Sequence, residues 1–184
     1  MRGMAVAGVA LALGLLGSGA ARADFTVTSP DISEGGTFKN EQVANVFGCK
    51  GDNMTPGLSW SGAPAGTKSY AVTVYDPDAP TGSGFWHWVV FNIPVGVTSL
   101  PKGPGGPKTK VPKGAVQVRT DYSMTGWGGP CPPPGDKPHH YAVTVYAVDS
   151  DKLGPDKNAS PAVVGFYLHF HSLAKATINA TYGR

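Results

Sequence analysis

The chain has 184 residues, of which 41% are hydrophobic and 10% aromatic, and it carries 15 basic and 12 acidic residues. This composition is typical of one folded domain of ordinary size and excludes a disordered polar chain. The formal net charge of +3 is too small to attract nucleic acid by charge alone, so no nucleic-acid partner is expected.

The first 23 residues have the pattern of a secretory signal peptide. Arg2 supplies a positive start, the run from Met4 to Leu16 is uncharged, and Ala21–Ala23 places small residues where a signal peptidase reads. The run is shorter than the roughly 20 apolar residues that span a bilayer. We therefore predict export to the periplasm or the medium, cleavage before Asp24, no membrane-spanning segment, and a single domain over residues 24–184.

The chain contains two cysteines, Cys49 and Cys131, and both lie in the part predicted to be exported. In an oxidising compartment an even pair of cysteines favours a disulfide over a metal site or a nucleophile. Closing a loop of this length stabilises a fold by about 4.5 kcal/mol in the chain-entropy model. We predict a Cys49–Cys131 disulfide.

Short runs of β-branched and aromatic residues, separated by Gly and Pro, predict strands. These runs are Phe25–Thr28, Ser69–Tyr75, Trp88–Ile93, Gly114–Arg119, Tyr141–Val148 and Ala176–Tyr182. Trp88–Ile93 is nearly all apolar, which is typical of a strand buried on both faces. The alternation of Phe166, Leu168 and Phe170 predicts another strand, followed by a turn of helix over Ser172–Lys175. No segment shows three turns of helical periodicity, so we expect one mostly antiparallel β domain.

The stretch Pro101–Pro112 is rich in Pro and Gly, which excludes a central strand or a helix. We predict an exposed loop. Its lysines, Lys102, Lys108 and Lys110, are expected to be solvated, and contact with an acidic partner is the alternative.

Polar residues stand beside proline-rich turns at the ends of three predicted strands. Asp76 opens the turn Asp76–Pro80, His87 precedes the buried strand, and His139 follows the stiff loop Gly129–Gly135. Prolines hold such turns rigid and so aim the side chains beside them. If the strands are neighbours, Asp76, His87 and His139 converge on one concave patch. The structural alternatives are a capping role for the aspartate and a packing role for the histidine.

Three ordered motifs carry a resemblance to a known family. They are DPDAP at 76–80, HWVVFNIP at 87–94 and GGPCPPPGDKPHHYAVTVYA at 128–147. The chain resembles the phosphatidylethanolamine-binding proteins, also called Raf kinase inhibitor-like proteins, and is similar to their bacterial, exported branch. The resemblance implies a large antiparallel sheet packed on a smaller one with a few short helices, and a pocket for phosphate, acetate or a phospholipid headgroup.

The family's pocket residues correspond to named positions of this sequence. The resemblance implies a ligand-binding set of Asp76, Pro80, His87, Cys131, Pro132, Pro133, His139 and Tyr141. The segment from 81 to 86 is shorter and less charged than in eukaryotic members, and nothing after Arg184 corresponds to their C-terminal helix. These two differences weaken the case for binding of whole lipids and for regulation of a kinase.

Three functions compete. The favoured one is a binding protein for a small anion or a phosphate-bearing headgroup, which needs no cofactor and is not an enzyme. The second is a regulator of a protein partner, resembling a protease or kinase inhibitor, acting through the same surface; a homodimer is also left open. The third is a metal-dependent enzyme, since Asp76, His87 and His139 have the composition of some iron or zinc sites.

Overall fold

A computed structural model describes residues 24–184. The predicted signal peptide lies outside these residues. Within them the structure contains ten strands, one α-helix and one turn of 3-10 helix at Gly106–Lys108. In chain order the elements are β1 (Thr26–Thr28), β2 (Met54–Thr55), β3 (Leu58–Ser61), β4 (Ser69–Asp76), β5 (Phe85–Pro94), β6 (Ser99–Leu100), β7 (Gly103–Pro104), β8 (Val116–Gln117), β9 (His139–Val148), α1 (Pro161–His171) and β10 (Ser172–Tyr182).

The strands form one large antiparallel sheet and two small ones. The large sheet has five strands in the order β10-β9-β4-β5-β8, and β1, β3 and β6 form a three-stranded sheet in which β1 is an edge strand. Strands β2 and β7 pair separately. The prediction of a mostly β domain with a large antiparallel sheet packed on a smaller one is confirmed.

The central strands of the large sheet are buried on both faces. On one face Val72, Trp88 and Tyr141 pack with Leu58 and other residues of the three-stranded sheet. On the other face Ala71, Val89 and Phe91 pack under α1. Strand β5 contributes to both cores because successive side chains of a strand point to opposite faces. The prediction that Trp88–Ile93 is buried on both faces is therefore confirmed.

The prediction of a strand through Phe166–Phe170 is wrong, because these residues belong to helix α1. The buried residues of α1 are Pro161, Val164 and Leu168, a spacing of three and four that places them on one helical face. Phe166 and Phe170 are exposed, so their alternation with Leu168 imitated the period of a strand. Ser160 caps the helix, since its Oγ accepts a hydrogen bond from the Val163 N–H at 3.3 Å.

The predicted turn of helix at Ser172–Lys175 is also wrong, since β10 begins at Ser172 and pairs with β9 up to Tyr182. The helix ends there because the backbone groups of the following residues form hydrogen bonds with β9 in place of helical ones. The interpretation of Pro101–Pro112 as an exposed loop needs a correction as well. This segment contains β7 and the 3-10 turn. It also contains Thr109, which is buried and whose Oγ accepts a hydrogen bond from the Trp127 N–H at 3.1 Å.

Residues 24–184 include no helix that is both long enough and apolar enough to cross a membrane. Strand Val116–Gln117 is shorter than the predicted Gly114–Arg119, and strand Ser69–Asp76 is one residue longer than predicted. That extra residue is Asp76, so the carboxylate of the first motif belongs to the end of the central strand.

Candidate functional site

One end of the large sheet brings the three sequence motifs together. Strand β4 runs antiparallel to both of its neighbours, β5 and β9, so the end of β4 lies beside the starts of the other two. A cavity of about 190 Å³ lies there. All eight residues of the predicted set line it: Asp76, Pro80, His87, Cys131, Pro132, Pro133, His139 and Tyr141.

Asp76 and His139 form a buried pair in the wall of this cavity. His139 Nδ1 lies 2.8 Å from Asp76 Oδ2, and the two residues are 4% and 3% exposed. The other oxygen of Asp76 accepts hydrogen bonds from the backbone N–H groups of Asp78 (2.8 Å) and Ala79 (3.1 Å). Asp76 therefore both caps its own turn, as the structural alternative expected, and orients the ring of His139.

The charge of His139 depends on its two carboxylate neighbours. Burial disfavours the charged ring, but the hydrogen bond and charge of Asp76, with Asp136 at 3.3 Å from Nε2, outweigh burial and raise the pKa of His139. A protonated His139 offsets the negative charge of Asp76. When His139 is protonated, the buried pair has no net charge, and an incoming anion does not meet an uncompensated carboxylate.

His87 reaches the cavity through a β-bulge in β5. Val74 pairs with Trp88 and Tyr75 pairs with Trp86, so His87 is an extra residue without a partner on β4. A bulge of this kind turns a side chain away from the face that strict alternation would assign to it. Trp86 packs with the core under α1, while the ring of His87 lies 5.1 Å from that of Tyr141 in the opposite core.

The protonation of His87 follows from the hydrogen bond that its ring makes to the backbone. Nδ1 lies 2.7 Å from the Gly128 carbonyl oxygen, which can only accept, so Nδ1 carries a proton and donates. Burial lowers the pKa of His87, and the Gly128 carbonyl and the charge of Asp76 oppose that effect. In the neutral ring Nε2 is then an acceptor, and it becomes a donor when the ring takes up a proton.

The hydroxyl of Tyr141 is the unexplained polar group of the site. Tyr141 is 0% exposed, and its hydroxyl has no hydrogen-bond partner within residues 24–184. Burial raises the pKa of Tyr141, and the neighbouring Asp76 carboxylate raises it further through its charge and a weaker side-chain interaction with the hydroxyl, so the hydroxyl keeps its proton. A buried hydroxyl without a partner costs about 1–3 kcal/mol. Tyr141 thus presents an available donor in the cavity wall.

A stiff loop closes the cavity opposite these groups. Cys131 forms a disulfide with Cys49, with sulfur atoms 2.06 Å apart, so the predicted disulfide is confirmed. The Nε of Arg184 donates to the Pro132 carbonyl at 2.6 Å, and Nη2 of the same side chain donates to the Phe47 carbonyl at 3.1 Å. The disulfide and Arg184 therefore tie the same two rim segments together.

Five further residues line the cavity and were missed from the sequence: Phe47, Ala79, Thr81, Phe85 and Tyr122. Ala79 lies inside the DPDAP motif and could have been included. Tyr122 lies in an irregular segment between β8 and β9, where no sequence pattern marks it. Its hydroxyl donates to the Gly129 carbonyl at 2.6 Å, and burial raises its pKa.

The three side chains considered for a metal site do not point at one centre. Asp76 and His139 are hydrogen-bonded to each other, and His87 uses Nδ1 on Gly128. Among residues 24–184, no group of three or more His, Cys, Asp or Glu side chains has an arrangement that could hold a metal ion.

A larger cleft, of about 660 Å³, lies elsewhere on the molecule, between Gln117–Asp121 and the start of α1. Its cationic side chains, Arg119 and Lys157, are exposed to solvent. Exposed charges are well hydrated and bind small ligands weakly. The smaller cavity, with its buried histidines and tyrosine, is therefore the better candidate site.

Comparison with known proteins places this geometry in a family. The model of the phosphatidylethanolamine-binding protein family matches residues 28–183. The Escherichia coli K12 protein UPF0098 YbcL is 50% identical over 175 residues, which cover 95% of this chain and 96% of the relative. The E. coli K12 protein UPF0098 YbhB is 49% identical over 154 residues, which cover 84% of this chain and 97% of the relative.

The similar solved structures belong to the same family as the sequence relatives. The crystal structure of E. coli YbcL, described as a new member of the mammalian PEBP family, has a TM-score of 0.84 and 52% identity, and covers 88% of this chain and 99% of its own. A putative PEBP homologue from Chlamydia trachomatis has a TM-score of 0.73 at 27% identity, covering 89% of this chain and 99% of its own. The chain is a member of the phosphatidylethanolamine-binding protein family.

Proposed function

We propose that this protein binds a small anion, phosphate or a phosphate-bearing headgroup, in the cavity between the ends of β4, β5 and β9. The observation that carries the proposal is the Tyr141 hydroxyl, which is buried, keeps its proton and makes no hydrogen bond of 3.5 Å or shorter to any atom of residues 24–184. Buried polar groups are nearly always hydrogen-bonded. A ligand oxygen that accepts from Tyr141 supplies the missing partner.

The two histidines complete the proposed anion site. His139 is held by Asp76 and its pKa is raised, so its charge offsets that of the Asp76 carboxylate beside the ligand. His87 offers Nε2, which donates to an anion once the ring is protonated. A bound anion favours the charged ring and so raises the pKa of His87 from its lowered value. Anion binding is then coupled to the uptake of a proton.

We further propose that the protein acts by binding and not by catalysis. A hydrolase that works through a side-chain nucleophile needs that nucleophile to be activated by an adjacent base. Ser83, the serine nearest in sequence to His87, does not line the cavity. The Thr81 hydroxyl does line it but donates to the backbone carbonyl of Gly84, and it is not hydrogen-bonded to either histidine.

Amide NMR titration tests the anion site. Inorganic phosphate and phosphoethanolamine are each added to the protein, to its His87→Ala and Tyr141→Phe variants, and to a His140→Ala control. His140 neighbours His139 but is exposed and does not line the cavity. We expect saturable shifts around Asp76, His87 and Tyr141 that weaken strongly in the first two variants and persist in the control. No shifts at millimolar ligand would refute the proposal.

We also propose that the protein is exported and processed before Asp24. The disulfide between Cys49 and Cys131 favours an oxidising compartment. Mass spectrometry of the protein recovered outside the cytoplasm should give an amino terminus at Asp24. An intact amino terminus in the cytoplasm would contradict the proposal.

A further inference from the structure

One edge of the large sheet is only partly covered. Strand β10 is the outermost strand on that side and pairs with β9 alone. Along its second half, an extended segment lies beside it. The Asn179 carbonyl accepts a hydrogen bond from the Gly35 N–H at 2.8 Å, and the Thr181 carbonyl accepts one from the Phe38 N–H at 2.9 Å. The chain itself therefore completes this edge from Asn179 onward.

The first half of the same edge has free backbone groups. Alternate residues of a strand point their N–H and carbonyl groups to the same side, so Lys175 and Thr177 present theirs outward, as Asn179 does. Among residues 24–184, no loop or side chain forms a hydrogen bond with these groups. Unpaired edge groups of this kind are a template for a further strand.

A positively charged cleft lies beside this free edge, between α1 and β10. Its volume is about 410 Å³, which is ample for a side chain, since a cavity of about 150 Å³ holds benzene. None of the acidic residues in the described part of the chain lines the cleft. Its lining residues are Tyr146, Gly165, Leu168, His169, Ser172, Ala174 and Lys175, and none of them lines the proposed anion cavity. The exposed charge of Lys175 therefore faces a space that no carboxylate lines.

A second copy of this chain is a poor occupant for the free edge. Antiparallel pairing of two β10 strands over the free residues brings the two Lys175 side chains onto one face, directly opposite or diagonal to each other. Like charges at opposed positions destabilise strand pairing, and diagonal neighbours also interact. A lysine on an edge strand is also a common means of avoiding edge-to-edge association. A strand that carries a carboxylate has the complementary charge.

We infer that the free edge of β10 binds an extended, acidic segment of a partner protein. The segment adds a strand through backbone hydrogen bonds to Lys175 and Thr177, and one of its carboxylate side chains lies in the cleft near Lys175. Leu173, which is 44% exposed at the start of the edge, supplies an apolar contact. In this mode of recognition the backbone pairing gives affinity and the side-chain pockets give specificity. The surface is separate from the proposed anion site and does not depend on it.

Synthetic peptides test this inference. The first is a capped peptide rich in valine and threonine with a central glutamate, the second has a central lysine instead, and the third is the glutamate peptide N-methylated at every backbone amide. Hydrogen exchange of the Lys175 and Thr177 amides, followed by NMR, reports the pairing directly. We expect the glutamate peptide to slow exchange of both amides and the lysine peptide to bind about fivefold more weakly. The N-methylated peptide, which has no N–H groups to donate, should have no effect.

A charge reversal in the protein identifies the contact. Lys175→Glu should reverse the preference, so that the lysine peptide binds more tightly than the glutamate peptide. Lys113→Glu is the matched control, since it makes the same change in net charge. Lys113 is exposed, lies outside the cleft and precedes β8, the strand at the opposite edge of the large sheet. This control should keep the preference of the wild-type protein.

Each alternative has its own outcome. If the glutamate peptide at millimolar concentration leaves exchange of both amides unchanged, the docking edge is refuted, and Lys175 only keeps the edge unpaired. If the two charged peptides bind equally, or if Lys175→Glu does not alter the preference, the acidic character of the partner is refuted. If both amides are protected without peptide, increasingly so at higher protein concentration, a second copy occupies the edge and the inference is wrong.

Discussion

Tyr141 and Tyr122 line the same cavity, yet their hydroxyls differ in one respect that predicts opposite effects of the same substitution. The Tyr122 hydroxyl donates to the Gly129 carbonyl at 2.6 Å, whereas the Tyr141 hydroxyl is buried without a partner in residues 24–184. Replacing either tyrosine by phenylalanine keeps the ring and removes only the oxygen. The pair therefore isolates the role of each hydroxyl.

For Tyr141→Phe we expect greater stability and weaker binding. Removing a buried, unpaired hydroxyl relieves a desolvation cost, so the free energy of unfolding should rise by about 1 kcal/mol. For a chain of this size that corresponds to a rise in Tm of about 2–4 °C. A hydrogen bond to a charged ligand contributes about 1.5–3 kcal/mol, so phosphate affinity should fall about tenfold to a hundredfold.

For Tyr122→Phe we expect a loss of stability. The substitution leaves the Gly129 carbonyl without its donor and should lower the free energy of unfolding by about 1 kcal/mol. Urea unfolding without ligand and calorimetric titration with phosphate measure both quantities for both variants. If Tyr141→Phe lowers stability as Tyr122→Phe does, and retains wild-type phosphate affinity, then its hydroxyl has a structural partner and the argument for the anion site is wrong.

Three further predictions concern charge and the disulfide. Asp76→Asn should lower the free energy of unfolding by about 2 kcal/mol at pH 6. Because the pKa of His139 is raised in the folded state, this difference is fully present below the unfolded value of 6.5 and should shrink as pH rises through the folded pKa. Urea unfolding from pH 5 to 9 checks the sign, and a difference that grows with pH would contradict it. Binding of sulfate, which does not titrate in this range, should weaken by up to about tenfold per pH unit as the pH rises from the free-state to the bound-state pKa of His87. Titration in buffers of different ionisation enthalpy should show proton uptake that His87→Ala abolishes, and uptake unchanged in that variant would assign the proton elsewhere. Reduction of the disulfide between Cys49 and Cys131 should cost about 4–5 kcal/mol of stability in the chain-entropy model, and a midpoint of unfolding unchanged by reductant would show that the bond contributes little.

The regular part of the fold could be predicted from the sequence because its strands are apolar on both faces. Ser69–Tyr75 and Tyr141–Val148 consist of strand-forming residues between turns, and the structure contains them as β4 and β9. The segment Phe166–Phe170 was mispredicted for a physical reason. Its exposed phenylalanines obscure the buried spacing of Pro161, Val164 and Leu168, and exposure is a property of the tertiary structure.

The candidate site shows the same division between local and long-range information. The prolines around Asp76 and Cys131 marked rigid turns, and the cysteine pair predicted a covalent link between distant segments. The position of His87 could not be predicted in this way. Strict alternation would place it on the face opposite Tyr141, and only the bulge opposite Val74 and Tyr75 turns it into the cavity. A bulge depends on the register of two strands, which no single segment encodes.

The sequence by itself determined the strand-rich composition, the predicted leader, the disulfide and the residue types gathered around the proline turns. Those features depend on the local backbone or on simple counting. The tertiary structure alone decided which polar atoms are left free. The Tyr141 hydroxyl and Nε2 of His87 are available because the Asp76 carboxylate is hydrogen-bonded to His139 and the Gly128 carbonyl accepts from Nδ1 of His87. Hydrogen-bond satisfaction is settled among groups far apart in the chain, so it appears only after the strands have paired.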